Sequence, residues 1–199
     1  MDFKTSVELL SFHWMAYTIY ALLIISIIAW FGFNLVRKER AKSIVRIPFY
    51  GYIAFLVAGG VGHHIFTYNT IPWVAEDIMR HEITPDHEYH IMIEKHRWKL
   101  PEEKMVVRVG EKVMFNVGSK DLTYGFGLFR KDGSMVTQMQ VLPNRNNDLL
   151  WTFHECGSFD LTSTEYAGPH QYDEHTGEDL MLVRGAVEVV GCNEKVASK

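Results

Sequence analysis

The sequence predicts two membrane-spanning α-helices joined as a hairpin, followed by an all-β sandwich of Greek-key type. Three observations predict this fold class. The N-terminal third contains two long apolar stretches, the rest alternates apolar and polar residues in short segments, and turn-forming residues separate those segments. The mean hydropathy of −0.06 averages these two unlike halves and hides the membrane part.

Composition excludes several classes of protein. The chain has 199 residues, 47% hydrophobic and 22% charged, which is ordinary for a folded protein and excludes a disordered chain. A net charge of −4 argues against a nucleic-acid partner, because neutralising phosphates requires an excess of Lys and Arg. Two cysteines exclude a four-cysteine zinc or iron–sulfur site.

Residues 14–36 carry no formal charge and are predicted to form the first span. A span needs about 20 apolar residues, and this stretch would reach roughly 34 Å as a helix. It is also longer than the apolar core of a signal peptide. A basic cluster follows it, composed of Arg37, Lys38, Arg40, Lys42 and Arg46. Because basic loops stay cytoplasmic, we expect an extracytoplasmic N-terminus.

Residues 47–66 are predicted to form the second span, which returns the chain to the outside and completes a hairpin over residues 1–72. Pro48 suits the first turn of a helix. The span contains Gly51, Gly59, Gly60 and Gly62, and small residues let helices approach closely in lipid. The sequence therefore predicts two spans in the cell (inner) membrane, with the C-terminal domain extracytoplasmic.

His63 and His64 lie near the outer end of the second span. Ionisable residues there are costly, and they either face a protein or water, or extend toward the interface. One interpretation is contact with a cofactor, a quinol or a proton path in a partner subunit; the other is an interfacial position without a partner. Helix neighbours are about 100° apart, so at most one of the two faces a given partner.

The polar segment over residues 73–89 is predicted either as an amphipathic helix at the membrane surface or as a solvated linker. The sandwich is predicted over residues 90–192, with a polar tail over 193–199. Its candidate strands are residues 90–95, 105–109, 112–117, 125–129, 137–141, 149–153, 158–163 and 185–190. In the third of these, Val113, Phe115 and Val117 alternate onto one face.

Several motifs occur in a fixed order along this half. Residues 109–115 read V-G-E-K-V-M-F, 119–126 read S-K-D-L-T-Y-G-F, 141–144 read V-L-P-N, and 151–153 with 157–159 read W-T-F and G-S-F. Residues 163–168 read S-T-E-Y-A-G. This ordered set resembles the cupredoxin domain of subunit II of haem–copper oxidoreductases, a family that includes cytochrome c oxidases, quinol oxidases and nitric oxide reductases. The resemblance covers nearly the whole chain, including the hairpin.

In that family the motifs hold the CuA centre, two coppers bridged by two cysteine thiolates and completed by two histidines, a methionine and a backbone carbonyl. The soft thiolates are what let the two coppers share an electron. By resemblance the corresponding positions here are Tyr124, Ser163, Glu165 (carbonyl), Ala167, Gln171 or His170, and Glu174 or Met181. The resemblance therefore implies a degenerate CuA site and no metal or other cofactor in this chain.

Three further features keep alternatives open. Trp98 stands at the family's aromatic motif and either faces the partner subunit or packs at the base of the domain. Cys156 and Cys192 either pair, which an extracytoplasmic location permits, or remain separate thiols. His154, His170 and His175, with Asp173 and Glu174, lie in or near one end of the predicted sandwich and either ligate copper or zinc or are ordinary polar loop residues, since their spacing matches no closed metal-ligand motif.

The resemblance implies a non-catalytic subunit II that docks on and seals a haem-bearing catalytic subunit I. Without CuA the electron donor would be quinol in the membrane, and the haems and their partner metal would lie in subunit I. The gas that the enzyme would reduce stays open between oxygen and nitric oxide. Residues 43–48 contain no acidic residue, whereas many proton-pumping members of the family have a glutamate there that feeds a proton channel. The alternative is a stand-alone, membrane-anchored cupredoxin-like module that binds copper or acts as a sensor.

Overall fold

The structure is a computed structural model that describes residue 3 and residues 5–38, 47–169 and 171–192. Two helices, α1 (Ser6–Val36) and α2 (Phe49–Thr70), are long and apolar enough to cross a membrane. A short helix, α3 (Pro72–Ile78), and a 3-10 turn (Arg80–Glu82) follow. The β-strands are then β1 (His87–Glu94), β2 (Arg97–Lys99), β3 (Met105–Arg108), β4 (Lys112–Ser119), β5 (Tyr124–Phe129), β6 (Met135–Val141), β7 (Asn147–Thr152), β8 (Gly157–Thr162) and β9 (Val183–Val190). The predicted fold class, two apolar helices followed by a β-sandwich, is confirmed.

Helix α1 begins at Ser6, earlier than the charge-free stretch at residue 14 predicts. The reason is a capping box: the Glu8 N–H donates to the Thr5 hydroxyl (3.3 Å), and the Thr5 N–H donates to the Glu8 carboxylate (3.4 Å). Helix α2 begins just after Pro48 and extends past residue 66 to Thr70. It ends at Ile71, because a residue that precedes a proline disfavours the helical conformation.

The strands form two sheets, with the orders β2-β1-β4-β7 and β3-β9-β8-β5-β6. The β1–β4 and β3–β9 pairs are parallel and the other pairs are antiparallel. Val113, Phe115 and Val117 are fully buried between the sheets, as their alternation predicts. The prediction missed β2, which has only three residues, and it started β1 at residue 90 rather than at His87.

The segment predicted as a surface helix or a solvated linker forms α3, and α3 packs on the sandwich. The ring of Trp73 lies 5.5 Å (centroid to centroid) from that of Trp151, and the Asp77 carboxylate accepts a hydrogen bond from the Leu150 N–H (3.1 Å). Helix α3 covers the outer face of β7, which explains why Leu150 is buried although it is not part of the core between the sheets. Residues 73–78 are therefore packed on the sandwich, whereas residues 83–86 form neither helix nor strand.

The first turn of α1 is also attached to the sandwich. The Ser6 hydroxyl donates to the Met135 carbonyl (3.0 Å) and accepts from the Arg130 guanidinium (3.0 Å), and Phe3 beside it is buried. The end of α2 reaches the sandwich through α3. The start of the first apolar helix and the end of the second therefore lie at the same side of the hairpin, next to the β domain.

The surfaces of α1 and α2 are uncovered within this chain. No side chain of either helix is buried, and the two helices do not pack along their lengths in the part of the chain that the structure describes. The basic loop that joins them falls mostly on residues 39–46, outside the described residues. Both helices consequently present apolar surfaces that lipid or another protein would have to cover.

Cys156 and Cys192 form a disulfide, with their Cα atoms 5.9 Å apart. The bond joins the turn before β8 to the residues just after β9, next to the predicted tail over residues 193–199, which lies outside the described part. This settles the choice between a disulfide and two separate thiols.

Replacing both cysteines, Cys156→Ser with Cys192→Ser, should lower the free energy of unfolding by about 3–4 kcal/mol, because the bond closes a long loop in the unfolded chain. Denaturant unfolding of the full chain in detergent, followed by tryptophan fluorescence, would measure this loss. The wild type should lose the same stability when a reductant is added, and the double variant should not respond. A wild type indifferent to reductant would contradict the expectation.

Arg130→Ala should lower the free energy of unfolding by about 1–3 kcal/mol, because it leaves the half-buried Glu155 carboxylate without its guanidinium partner (2.8 Å) and detaches Ser6. Lys104→Ala is the matched control, since Lys104 pairs with Glu188 and both side chains are exposed, and such exposed pairs contribute little to stability. The same unfolding assay would compare them, and equal losses would count against the expected role of Arg130.

Candidate functional site

Three loops meet at the end of the sandwich where the resemblance places a metal centre. They are the β1–β2 turn, the β4–β5 loop and the loop after β8. The Lys95 N–H donates to the Asp121 carboxylate (2.8 Å), and the Thr164 N–H donates to the Gly125 carbonyl (3.2 Å). These two contacts hold the three loops together across both sheets.

Tyr124, the position that corresponds to the first copper histidine, is the first residue of β5 and is fully buried. Its hydroxyl donates to the Asp121 carboxylate (3.3 Å) and accepts from the His96 backbone N–H (3.3 Å). The phenol is thus held by the two neighbouring loops and contributes to their packing.

His96 points into this end of the domain. It and Lys95 have positive φ angles of 64° and 52°, so a left-handed turn reverses the chain between β1 and β2 and directs the imidazole inward. The side chain is only 8% exposed, and its Nε2 lies 2.9 Å from the Ala167 carbonyl. Because a carbonyl only accepts, Nε2 carries the proton. The ring also lies edge-on to Tyr124, with centroids 5.9 Å apart.

The loop after β8 contains the two positions that correspond to the bridging cysteines. The Ser163 hydroxyl accepts from the Gly125 N–H (3.1 Å) and donates to the Glu165 carbonyl (3.0 Å). The carbonyl predicted as a copper ligand is therefore already hydrogen-bonded. Ala167 is buried and offers only its backbone carbonyl, which His96 occupies.

The loop lies very close to β5. A Cβ at Gly125 would stand 2.0 Å from the Thr164 hydroxyl oxygen, and one at Gly127 would stand 2.4 Å from the Thr164 methyl carbon. Any side chain at these two positions would displace the loop from the strand. Glycine is thus required for this closed arrangement.

The remaining predicted positions lie apart from this group. Met181 is buried just before β9, and its carbonyl accepts from the Trp98 indole (2.8 Å). Trp98 packs edge-on to Phe126 in the core, which agrees with the packing alternative given for it above. Gln171 is exposed. His170 lies outside the described residues.

The described residues contain no group of three or more His, Cys, Asp or Glu side chains placed to hold a metal. Both cysteines of the chain are joined to each other, so the described structure has no free thiol. The described residues at this end of the sandwich form hydrogen bonds with one another.

The ionisable groups at this end have shifted pKa values. Burial raises the pKa of Asp121, but hydrogen bonds from the N–H groups of Lys95 and Leu122 and from the Tyr124 hydroxyl outweigh it and hold the pKa below its usual range. Burial, together with the nearby Asp121 carboxylate, raises the pKa of Tyr124 against the lowering effect of the His96 N–H. At neutral pH the Asp121 carboxylate is therefore charged and accepts a hydrogen bond from the neutral Tyr124 hydroxyl.

Sequence reasoning missed His96 and Asp121 as members of this group. Asp121 in the S-K-D-L motif follows a strand, where Asp often binds nearby backbone N–H groups, so a local signal existed. No sequence pattern gave the direction of the His96 side chain, which the left-handed turn and contacts across the domain determine.

The two adjacent histidines of α2 differ in their surroundings. Both are exposed and their rings lie 5.9 Å apart, but His64 lines a cleft between α2 and α3, and His63 does not. The pair thus faces two different directions, as the helical geometry predicts.

No family model and no curated protein matches this sequence. Among solved structures, the chain is similar to the periplasmic domain of cytochrome oxidase subunit II from Bradyrhizobium japonicum, with 18% identity, a TM-score of 0.39, and coverage of 56% of this chain and 89% of that one. It is also similar to a chain of a haem–copper terminal oxidase dimer, with 14% identity, a TM-score of 0.45, and coverage of 71% and 97%. Auracyanin B gives 7% identity, a TM-score of 0.41, and coverage of 55% and 92%.

Asp121→Asn should destabilise the protein at pH 7, because the lowered pKa of Asp121 means that the folded state binds the charged carboxylate better than the unfolded state does. That contribution is present above the unfolded pKa of about 3.9 and is lost as pH falls through the lower folded value. The difference between variant and wild type should therefore shrink below about pH 4. Unfolding midpoints at pH 7 and pH 3 would measure it.

Glu174→Gln is the control for this comparison, because Glu174 is exposed and has no hydrogen bond or ion pair in the described structure. Its unfolding midpoint should match the wild type at both pH values. A variant at Asp121 whose deficit stays constant between pH 7 and pH 3 would show that the carboxylate charge is not what stabilises the loops.

Proposed function

We propose that this chain is a non-catalytic subunit II of a quinol-linked haem–copper terminal reductase and that its CuA site is degenerate. The observation that carries the proposal is the state of the cysteines. The chain has two, and the disulfide between Cys156 and Cys192 engages both. A CuA centre needs two bridging thiolates, and Ser163 and Ala167 cannot supply them.

The hydrogen bonds at the closed end of the sandwich support the same conclusion. Tyr124, Ser163 and the Glu165 carbonyl are each bonded to a protein partner, and the His96 ring lies between Tyr124 and the Ala167 carbonyl. Each of these groups therefore already has a partner within the protein. With no copper to receive electrons from a soluble protein, the proposed donor is a quinol within the membrane.

The uncovered surfaces of α1 and α2 support the proposal of a partner protein within the membrane. Neither α1 nor α2 buries a side chain within the chain, and Ala54, Ala58 and Gly62 place small residues four apart along α2. Such a face lets another helix approach closely. We propose that the partner is the catalytic subunit I, which carries the haems and their metal, and that this chain holds no cofactor.

The proposed orientation puts the sandwich outside the cytoplasm. A disulfide persists in an oxidising compartment, and the start of α1 lies against the sandwich. The basic loop between the spans then faces the cytoplasm, in agreement with the positive-inside rule. The domain attached at both Ser6 and α3 would sit on the outer face of subunit I and seal it.

The reduced gas is proposed as nitric oxide or oxygen, and the purified complex would distinguish them. We expect the detergent-solubilised chain to bring a haem-bearing membrane subunit with it and the complex to oxidise a quinol with one gas as acceptor. Haem and copper analysis should account for all copper at the haem partner site, with no near-infrared band of a binuclear copper centre.

Three results would contradict this proposal. Two additional coppers per complex would overturn the degenerate CuA site. Turnover with a soluble reduced cytochrome, but not with quinol, would overturn the quinol link. Isolation of the chain without any haem subunit, but with bound copper, would instead favour a stand-alone copper-binding module.

A further inference from the structure

A cleft of about 360 Å³ lies where α2 ends and α3 begins. The helical conformation is interrupted at Ile71, which is extended and buried, and Val74 and Ile78 of α3 then line the cleft together with residues of α2. Ile65, Val74 and Ile78 make the apolar part of the lining. His64, Tyr68 and Asn69 make most of the polar part.

The polar side chains divide into two groups. Thr67 and Asn69 bond back to carbonyls of their own helix, at 2.9 Å and 2.7 Å, so their hydrogen-bonding capacity is used locally. His64 and Tyr68 make no hydrogen bond to any described residue. Being four residues apart, they lie on the same face of α2, one turn from each other.

The depth of the cleft adds a second constraint. His64 and Tyr68 lie in the last two turns of α2, which ends at Thr70 just before the domain outside the span. At that level the chain itself supplies neither group with a hydrogen-bond partner, so each is open to a ligand, water or another protein. The cleft therefore has both the room and the unpaired groups that a ligand site needs.

We propose that this cleft binds the ring of the membrane quinol, with His64 and Tyr68 hydrogen-bonding its hydroxyl or carbonyl oxygens and Val74 and Ile78 contacting its face. This inference rests on the proposed function, because it names where that quinol binds. A quinol has an apolar ring that carries polar oxygens, and the lining of the cleft likewise contains both apolar and polar side chains. No Lys or Arg lines the cleft, so a phosphate headgroup would lack its usual cationic partner.

His64→Phe tests the inference, and His63→Phe is the matched control on the neighbouring face. The probe is decylubiquinone, titrated into the purified complex, with a short-chain menaquinone as a second probe. Losing the hydrogen bond should raise the dissociation constant of the probe about tenfold in His64→Phe. His63→Phe should leave it unchanged, and in turnover His64→Phe should raise KM for quinol more than it lowers kcat.

Ile78→Trp provides a second test that removes no polar group. The larger side chain should fill part of the cleft and weaken probe binding, whereas Met79→Trp, exposed outside the cleft, should not. Haem content of each purified complex is measured alongside, to show that the subunits stay together.

The outcomes separate the inference from the proposed function. If the wild-type complex oxidises quinol and both histidine variants bind the probe equally well, the quinol site is elsewhere and only this inference fails. If His64→Phe or Ile78→Trp releases the haem subunit, the cleft is a contact between subunits and the inference also fails. If the wild type neither binds nor oxidises quinol but accepts electrons from a soluble donor, the proposed quinol link fails as well.

Discussion

The hydrogen bond between the His96 imidazole and the Ala167 carbonyl is the contact on which the closed end of the sandwich depends. It joins the first strand hairpin to the loop after β8, and the same residue bonds through its backbone to Tyr124. The left-handed backbone at Lys95 and His96 makes this reach possible. A side chain from one sheet thereby bonds to a loop of the other sheet and lies edge-on to Tyr124 at its margin.

Much of the architecture was predictable, because burial on one face of a strand leaves alternation in the sequence. Val113, Phe115 and Val117 show this, and eight of the strands follow from such patterns. Strand β2 escaped prediction because three residues carry too little periodicity. The start of α1 was misplaced because absence of charge defines a span but not a helix end, which the Thr5–Glu8 capping box sets.

The candidate site was likewise predictable only in part. Motif order was enough to propose that Tyr124 and the loop over residues 163–168 lie at one end of the domain, and the structure brings them together there. The position of His96 and the pairing of Cys156 with Cys192 were not predictable, because each depends on segments far apart in sequence. Such contacts depend on the topology of the whole domain, which local sequence patterns do not specify.

The hydrogen bond between Ser6 and the Met135 carbonyl spans 129 positions of the chain. Residue 6 is synthesised long before residue 135, so the first turn of α1 has no partner for this bond until β6 exists. The attachment can form only once β6 has been made and has folded into its sheet. The position of the first turn of α1 against the sandwich therefore depends on a segment that lies far downstream in the chain.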